Sequence, residues 1–297
     1  MLNFAKLTLD DIETVRPFLE LQHSRICDYS IGGIFMWREF FHTSFTIFRN
    51  TLLFQVHYLN GETAFTVPLG ENQDAALDEL DLFCGEQGIP LVFCTVPKNS
   101  IPLLLSHFPD AEIRSERDWF DYLYRTQDLL LFHGKKYDGQ RNHIHKFQKL
   151  YPGYSFQTIT EENLPRVREF YRDFSIAYEK PGAVAQEESL RTMELLDNYS
   201  RYGLFGGFLE TDGKIVSFSV GERVNDTIFV HVEKADIQYT GVYQLTVQEF
   251  LKHFAQEGDE FVNREEDVGD EGLRKSKLSY HPVQLLEKST VTAKPEE

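Results

Sequence analysis

The chain has 297 residues, 41% hydrophobic and 26% charged, a balance that suits a globular protein of about two domains and, with 25 Phe and 14 Tyr, excludes a disordered one. A formal net charge of -17 and a pI near 5.0 exclude a general affinity for nucleic acid or anionic membranes, so an anionic partner needs a local basic site. Cys27, Cys84 and Cys94 are widely spaced with no C-x-x-C pair, which supports neither a disulfide framework nor a zinc site and fits a reducing cytoplasm.

The opening MLNFAKLTLDDIETVRPF lacks the basic-then-apolar order of a signal peptide, and no apolar run approaches the roughly 20 residues that cross a bilayer. A cytoplasmic chain without a membrane segment is therefore expected. Thr8 or Asp10 caps a first helix carrying Ile12, Val15, Phe18 and Leu19. Residues 28–41 form an aromatic-rich loop or short helix, and strands at 45–48, 52–57 and 63–67, with turns at Arg49-Asn50 and Asn60-Gly61, form an antiparallel meander. A helix over 74–87 stopped by Gly88, a strand at 91–95, a helix over 97–108 and a strand at 118–125 complete a first domain, residues 1–127.

At residues 134–151 the sequence GKKYDGQRNHIHKFQKLY is a basic island in an acidic chain. On a helix from about Asp138, Arg141, His145 and Lys149 make one stripe and Ile144, Phe147 and Tyr151 another, so one face docks while the other meets solvent or an anion. The second domain, residues 128–297, continues with a strand at 154–159, helices over 164–178 and 188–199, and strands at 204–210 and 215–220. Asp212-Gly213 between these two strands predicts a hairpin turn with positive φ.

Residues 226–254 read as strand, glycine turn and helix. Period two places Ile228, Val230 and Val232 on one face of the strand and Phe229, His231 and Glu233 on the other. Tyr243, Val247, Phe250, Leu251 and Phe254 give the helix an apolar stripe that packs on the sheet. Between the two lies Gln238-Tyr239-Thr240-Gly241-Val242-Tyr243, where unsatisfied N–H groups and the positive helix end suit an anion, and Gly241 admits a ligand close to the backbone. An ordinary strand-turn-helix with Tyr243 in the core is the alternative. A strand at 260–263 and a short helix follow, with Asp270 and Glu271 at the helix start and Arg274, Lys275 and Lys277 later, an order that dipole pairing alone also explains.

Gln238 and Gly241 match the pyrophosphate-binding pattern Arg/Gln-x-x-Gly-x-Gly/Ala of the GNAT acetyltransferases, while Tyr243 departs from it. G-K-K-Y…R-N-H-I-x-K-F…Y at residues 134–151, together with N-R-E-x-D-x-G-x-x-G-L-R-K-x-K-x-S-Y-x-P at 263–282, resembles a bacterial family grouped with the C-terminal domain of phosphatidylglycerol lysyltransferases. The resemblance implies an α+β chain with mixed sheets, built as two tandem GNAT-like domains as in Fem-type aminoacyl transferases. The first domain is degenerate and the second holds the donor site.

The resemblance also implies an acyl-CoA or aminoacyl-tRNA donor, and no metal is expected because the histidines do not pair with acids at a recognised ligand spacing. Val242, Thr240 and their neighbours in the turn would contact coenzyme A. Lys135, Lys136, Arg141, Asn142, His145, Lys146 and Lys149 would meet the phosphates of tRNA, and Asn263, Arg264, Arg274, Lys275 and Lys277 an anionic substrate. Direct acyl transfer needs a base, for which Glu233 and His231 are candidates and Glu265 and Asp267 rivals, and an acid for the leaving group, for which Tyr280 is the candidate. Two functions stay open at this stage: an acyl or aminoacyl transferase acting on an amine or hydroxyl of a small-molecule or aminoacyl acceptor, and a non-catalytic module that binds an anionic metabolite or RNA.

Overall fold

The computed structural model describes residues 2–58, 60–178 and 182–294. The chain forms two compact units. The first comprises residues 1–121, 266–269 and 285–297, and the second comprises 122–265 and 270–284.

In the first unit the chain runs through β1 (Ala5–Lys6), α1 (Ile12–Leu19), α2 (Ile31–Trp37), β2 (Ser44–Phe48), β3 (Thr51–His57), β4 (Thr63–Phe65), β5 (Leu69–Gly70), α3 (Gln73–Gln87), β6 (Val92–Pro97), α4 (Ile101–His107) and β7 (Glu112–Ser115). The helical turn Leu9–Asp11 that leads directly into α1 is closed by a Thr8–Asp11 capping box, with the Thr8 N–H donating to Asp11 Oδ2 at 2.8 Å. Strands β2, β3 and β4 pair antiparallel in sequence, which is the expected meander.

The second unit contains most of β8 (Asp121–Arg125), then α5 (Thr126–Leu131), α6 (Asp138–Leu150), β9 (Ser155–Thr158), α7 (Leu164–Ala177), α8 (Ala183–Asp197), α9 (Tyr199–Tyr202), β10 (Phe205–Thr211), β11 (Lys214–Val224), β12 (Thr227–Ala235), α10 (Val242–Phe254), β13 (Phe261–Asn263) and α11 (Glu271–Leu278). Asp212 (φ 51°) and Gly213 (φ 74°) both take the left-handed conformation that the hairpin between β10 and β11 demands. Within this sheet the spatial order is β8, β13, β12, β11, β10, β9, with β12 and β13 parallel and α10 as the crossover between them. Helices cover both faces: Ser217 Oγ of β11 lies 2.6 Å from Thr246 of α10, while the adjacent Phe218 meets the rings of Phe170 and Tyr171 on α7. Because α5 and α6 also pack on α10, its buried residues extend beyond the expected stripe to Val242, Leu245 and Thr246.

Two strands close the chain, β14 (Gln284–Leu286) and β15 (Lys288–Thr292). Residues 128–297 are expected in one domain, but residues 285–297 belong to the first unit. Strand β15 inserts between β6 and β7, antiparallel to both, with Val291 fully buried in the first unit's core beside Phe93 and Leu104. The KSTVT segment satisfies its backbone groups by joining that sheet, which a search for a domain boundary in composition does not detect.

Candidate active site

Strand β12 is paired on both edges, and its register with β11 slips: Val232 opposes Val220 while Val230 opposes Gly221, which leaves His231 as an extra residue. A bulge of this kind interrupts the alternation of side chains and occurs preferentially beside functional sites. His231 stacks on Phe229, its expected neighbour on one face, and bonds to other partners than Glu233 does.

His231 sits between two carboxylates, its Nδ1 2.8 Å from Glu265 Oε1 and its Nε2 2.8 Å from Glu222 Oε1, with none of its side chain exposed. Burial opposes its charge, but the hydrogen bonds and charges of Glu222 and Glu265 prevail and push its pKa up to about 10. A charged imidazole with both nitrogens occupied is not available as a base, which corrects the catalytic expectation for His231 and engages its partner Glu265. Asp267 is likewise engaged: it is fully buried, pairs with Arg117 at 3.3 Å and accepts the Gly269 N–H.

The second cluster is built on Glu233. Arg264 Nη2 donates to Glu233 Oε1 at 2.8 Å, and the guanidinium carbon lies 4.4 Å from the Tyr280 ring centroid and 5.8 Å from that of Tyr124. Arg264 Nη1 is buried and has no hydrogen-bond partner among the described residues. Burial raises the Tyr280 phenol well above its ordinary pKa although Arg264 acts in the opposite sense, so this group keeps its proton. Burial raises the phenol of Tyr243, in the first turn of α10, above its ordinary pKa, with Glu233 acting in the same sense and Lys234 and Arg264 opposing it. Helix α11 holds this arrangement from behind, since Lys277 Nζ donates to the Arg264 carbonyl at 2.6 Å and its own carbonyl accepts from the Tyr124 hydroxyl at 2.9 Å. Glu233, Arg264 and Tyr280, far apart in sequence, are therefore brought together, and Lys277, expected to contact an anion, is spent as their support.

At the start of α10 lies a shallow cavity of about 220 Å³ bordered by Tyr239, Thr240, Gly241, Val242, Tyr243 and His143. No side chain caps the helix, and the N–H groups of Tyr243 and Gln244 have no acceptor among the described residues, so an anion can be received here. Gly241 has φ 89°, and a Cβ there would stand 2.1 Å from the His143 carbonyl oxygen. The close passage of α6 is thus enough to require a glycine here, and Gly241 also borders the cavity. Gln238 is exposed outside the cavity, its N–H bonded to Asp236. Gly241→Ala is expected to lower stability by about 3 kcal/mol, because both the left-handed backbone and the α6 contact are violated. Urea denaturation with an unchanged m value checks this, and a loss below about 1 kcal/mol would contradict the packing described.

The basic segment divides by role. Arg141 donates to the carbonyls of Phe132 and Gly134 and pairs with Asp138, fixing the turn before α6, and so is not a free anion contact. Lys136 pairs with Asp128 at 3.1 Å, whereas Lys135, Asn142, His145, Lys146 and Lys149 are exposed. Asn263 is fully buried and accepts the Glu265 N–H; Lys275 is exposed and Arg274 half-buried. His143 was missed in the sequence because the helical stripes were read from spacing, and only the meeting of α6 with Gly241 reveals its position at the cavity. Among the described residues no helix is long and apolar enough to cross a membrane.

Comparison with known proteins places this geometry. Over 184 residues the chain is 28% identical to the uncharacterised protein MYCGA3080 of Mycoplasmoides gallisepticum, a match covering 61% of this chain and 58% of that protein's length. A conserved protein of unknown function from Bacteroides thetaiotaomicron superposes with a TM-score of 0.92 at 32% identity, covering 99% of this chain and 100% of the other. The C-terminal domain of a putative lysylphosphatidylglycerol synthetase from Agrobacterium fabrum shares the fold with a TM-score of 0.68 at 11% identity over 96% of this chain and 92% of that one. FemX shares it at 0.62 and 8% identity over 98% and 97%. The mixed α+β architecture is therefore the fold of FemX and of the lysylphosphatidylglycerol synthetase C-terminal domain. The family described as phosphatidylglycerol lysyltransferase, C-terminal, matches residues 19–292, and the chain belongs to it.

Proposed function

We propose that this chain is an aminoacyltransferase that takes aminoacyl-tRNA as donor and passes the aminoacyl group directly to an amine or hydroxyl of its acceptor. The observation that supports the reading above all is the convergence of Glu233, Arg264 and Tyr280 beside the first turn of α10. In the reaction the acceptor N–H or O–H gives its proton to Glu233 as the new C–N or C–O bond forms. The ester bond to the terminal ribose breaks, and the Tyr280 phenol protonates the departing ribose oxygen. Arg264 orients Glu233 and supplies positive charge where the carbonyl oxygen becomes negative.

Three observations favour tRNA over coenzyme A as donor. Helix α6 fills the space above Gly241 where a pyrophosphate would approach the backbone, and Tyr243 occupies the position that the coenzyme A pattern keeps small. The exposed Lys135, Lys146 and Lys149 lie on the same basic segment and suit a phosphate backbone. An acyl-CoA donor is the second reading, favoured by the uncapped N–H groups of Tyr243 and Gln244 at a cavity of about 220 Å³.

Fluorescence anisotropy with a charged tRNA acceptor-arm minihelix separates the two. Saturable binding that weakens with salt, and weakens roughly tenfold or more when Lys146 and Lys149 are both replaced by glutamate, is expected for the tRNA donor. Thermal stabilisation by acetyl-coenzyme A, with no minihelix binding, would transfer the proposal to the acyl-CoA reading.

A further inference from the structure

Within the first unit, a thiol and an amine lie side by side in a site that the transfer reaction does not use. Cys27 Sγ is 3.3 Å from Lys288 Nζ, and both residues are about nine-tenths or more buried, at 5% and 6% exposure. Three carboxylates enclose the pair. Lys288 Nζ is 2.7 Å from Asp121 Oδ1, 2.6 Å from Asp28 Oδ2 and 3.2 Å from Glu266 Oε2. Cys27 Sγ is 3.4 Å from both Asp121 Oδ1 and Glu266 Oε2, and its N–H donates to Asp121 Oδ2 at 2.7 Å. The ammonium already occupies the point at which Cys27, Asp28 and Asp121 could converge on a cation.

Burial and the surrounding acids hold the thiol protonated, so its oxidation needs a neighbouring base, and Asp121 Oδ1 at 3.4 Å is placed to relay the thiol proton to the departing peroxide oxygen. The geometry also offers an amine fixed within contact of sulfur, with carboxylates placed to receive the protons that a bond between them releases. A single oxygen atom between sulfur and nitrogen spans the observed gap with less movement of either side chain than a direct sulfur–nitrogen bond.

We infer that Cys27 and Lys288 are a modification site, at which peroxide links Cys27 Sγ to Lys288 Nζ through one oxygen atom. One molecule of hydrogen peroxide converts the thiol to a sulfenic acid and leaves as water. The ammonium passes its extra proton to Asp121. A second peroxide then removes the sulfenic hydrogen and one amine hydrogen, joins nitrogen to the sulfenic oxygen and leaves as two waters. Sulfur and nitrogen each lose two electrons, and each peroxide gains two. The crosslink ties the loop before α2 to strand β15. It also removes the positive charge that three buried carboxylates share, so oxidation alters both the connectivity and the electrostatics of this unit.

The test is intact-protein and peptide mass spectrometry of the full chain after peroxide treatment. The expected product is heavier by about 14 Da, its Cys27 and Lys288 peptides are joined, and dithiothreitol restores the original mass. Lys288→Arg preserves the positive charge but removes the reacting amine, and Cys27→Ser removes the thiol; each should abolish the joined peptide. Should the arginine variant not fold, the serine variant and the peptide map of the native chain still decide the matter. A gain of about 16 Da on Cys27 that dimedone captures, or an unmodified Cys27, would overturn the inference.

Discussion

His231→Ala is expected to lower folding stability by about 3–5 kcal/mol, because it leaves Glu222 and Glu265 facing one another without the cation that each now contacts. The effect follows from breaking a buried pair from one side only; replacing Glu222 by glutamine in the same chain should recover part of the loss. The native protein carries a matching pH signature. Its folded His231 has a pKa of about 10 against 6.5 for the free side chain, so the folded state binds the extra proton between these values. The stabilisation is complete below about pH 6.5 and is lost as pH rises toward 10, with a slope of about 1.4 kcal/mol per pH unit. Urea titrations at several pH values read both effects. A variant as stable as the native chain, or an identical pH slope in the two, would show that His231 is not the cation of this cluster.

Much of the fold was legible because its signals are local. The Thr8–Asp11 capping box and the Asp212-Gly213 turn are set by residues within a few positions of each other, and the structure contains both. The long motif at 263–282 also carried the family, through residues that now prove to serve one assembly: Asn263 turns the chain, Arg264 meets Glu233, Lys277 holds Arg264 and Tyr280 lies beneath its guanidinium. Strand β15 was not legible, since its partners β6 and β7 lie more than 170 positions upstream and no spacing rule connects them.

The sequence names residues that the structure gathers around Glu233, but not the partners that each side chain takes. Period two groups Phe229 with His231, whose rings lie 6.3 Å apart, but nothing in the local sequence Val230-His231-Val232-Glu233 announces that Glu222 and Glu265 hold one acid–base residue and Arg264 the other. Basic residues present the same difficulty. Arg141 and Lys149 share a helical stripe, yet Arg141 bonds two carbonyls and Lys149 is exposed, a distinction made by the turn at Phe132–Gly134 rather than by the helix itself. Gly241 was recognised as necessary, but the reason for it lies in α6, a hundred residues earlier in the chain.

Glu233→Gln and Tyr280→Phe are each expected to reduce single-turnover transfer from aminoacyl-tRNA by about 10²–10⁴-fold. Glutamine keeps the shape of the side chain and a carbonyl oxygen for Arg264, but it does not take a proton from the acceptor. Phenylalanine keeps the ring on which Arg264 lies and removes only the hydroxyl, so the protein should remain folded while the ribose oxygen departs without its proton. A loss confined to the chemical step, with donor affinity unchanged, separates these roles from a general disturbance of the site. Moreover, the Tyr280→Phe defect should shrink when the leaving oxygen is made intrinsically more acidic, since a better leaving group needs less help from a proton donor. The Glu233→Gln defect should instead shrink with an acceptor whose nucleophilic atom carries no proton to remove. Full turnover in both variants would remove these assignments from Glu233 and Tyr280 while leaving the family and fold untouched, because the fold positions a site without determining its chemistry.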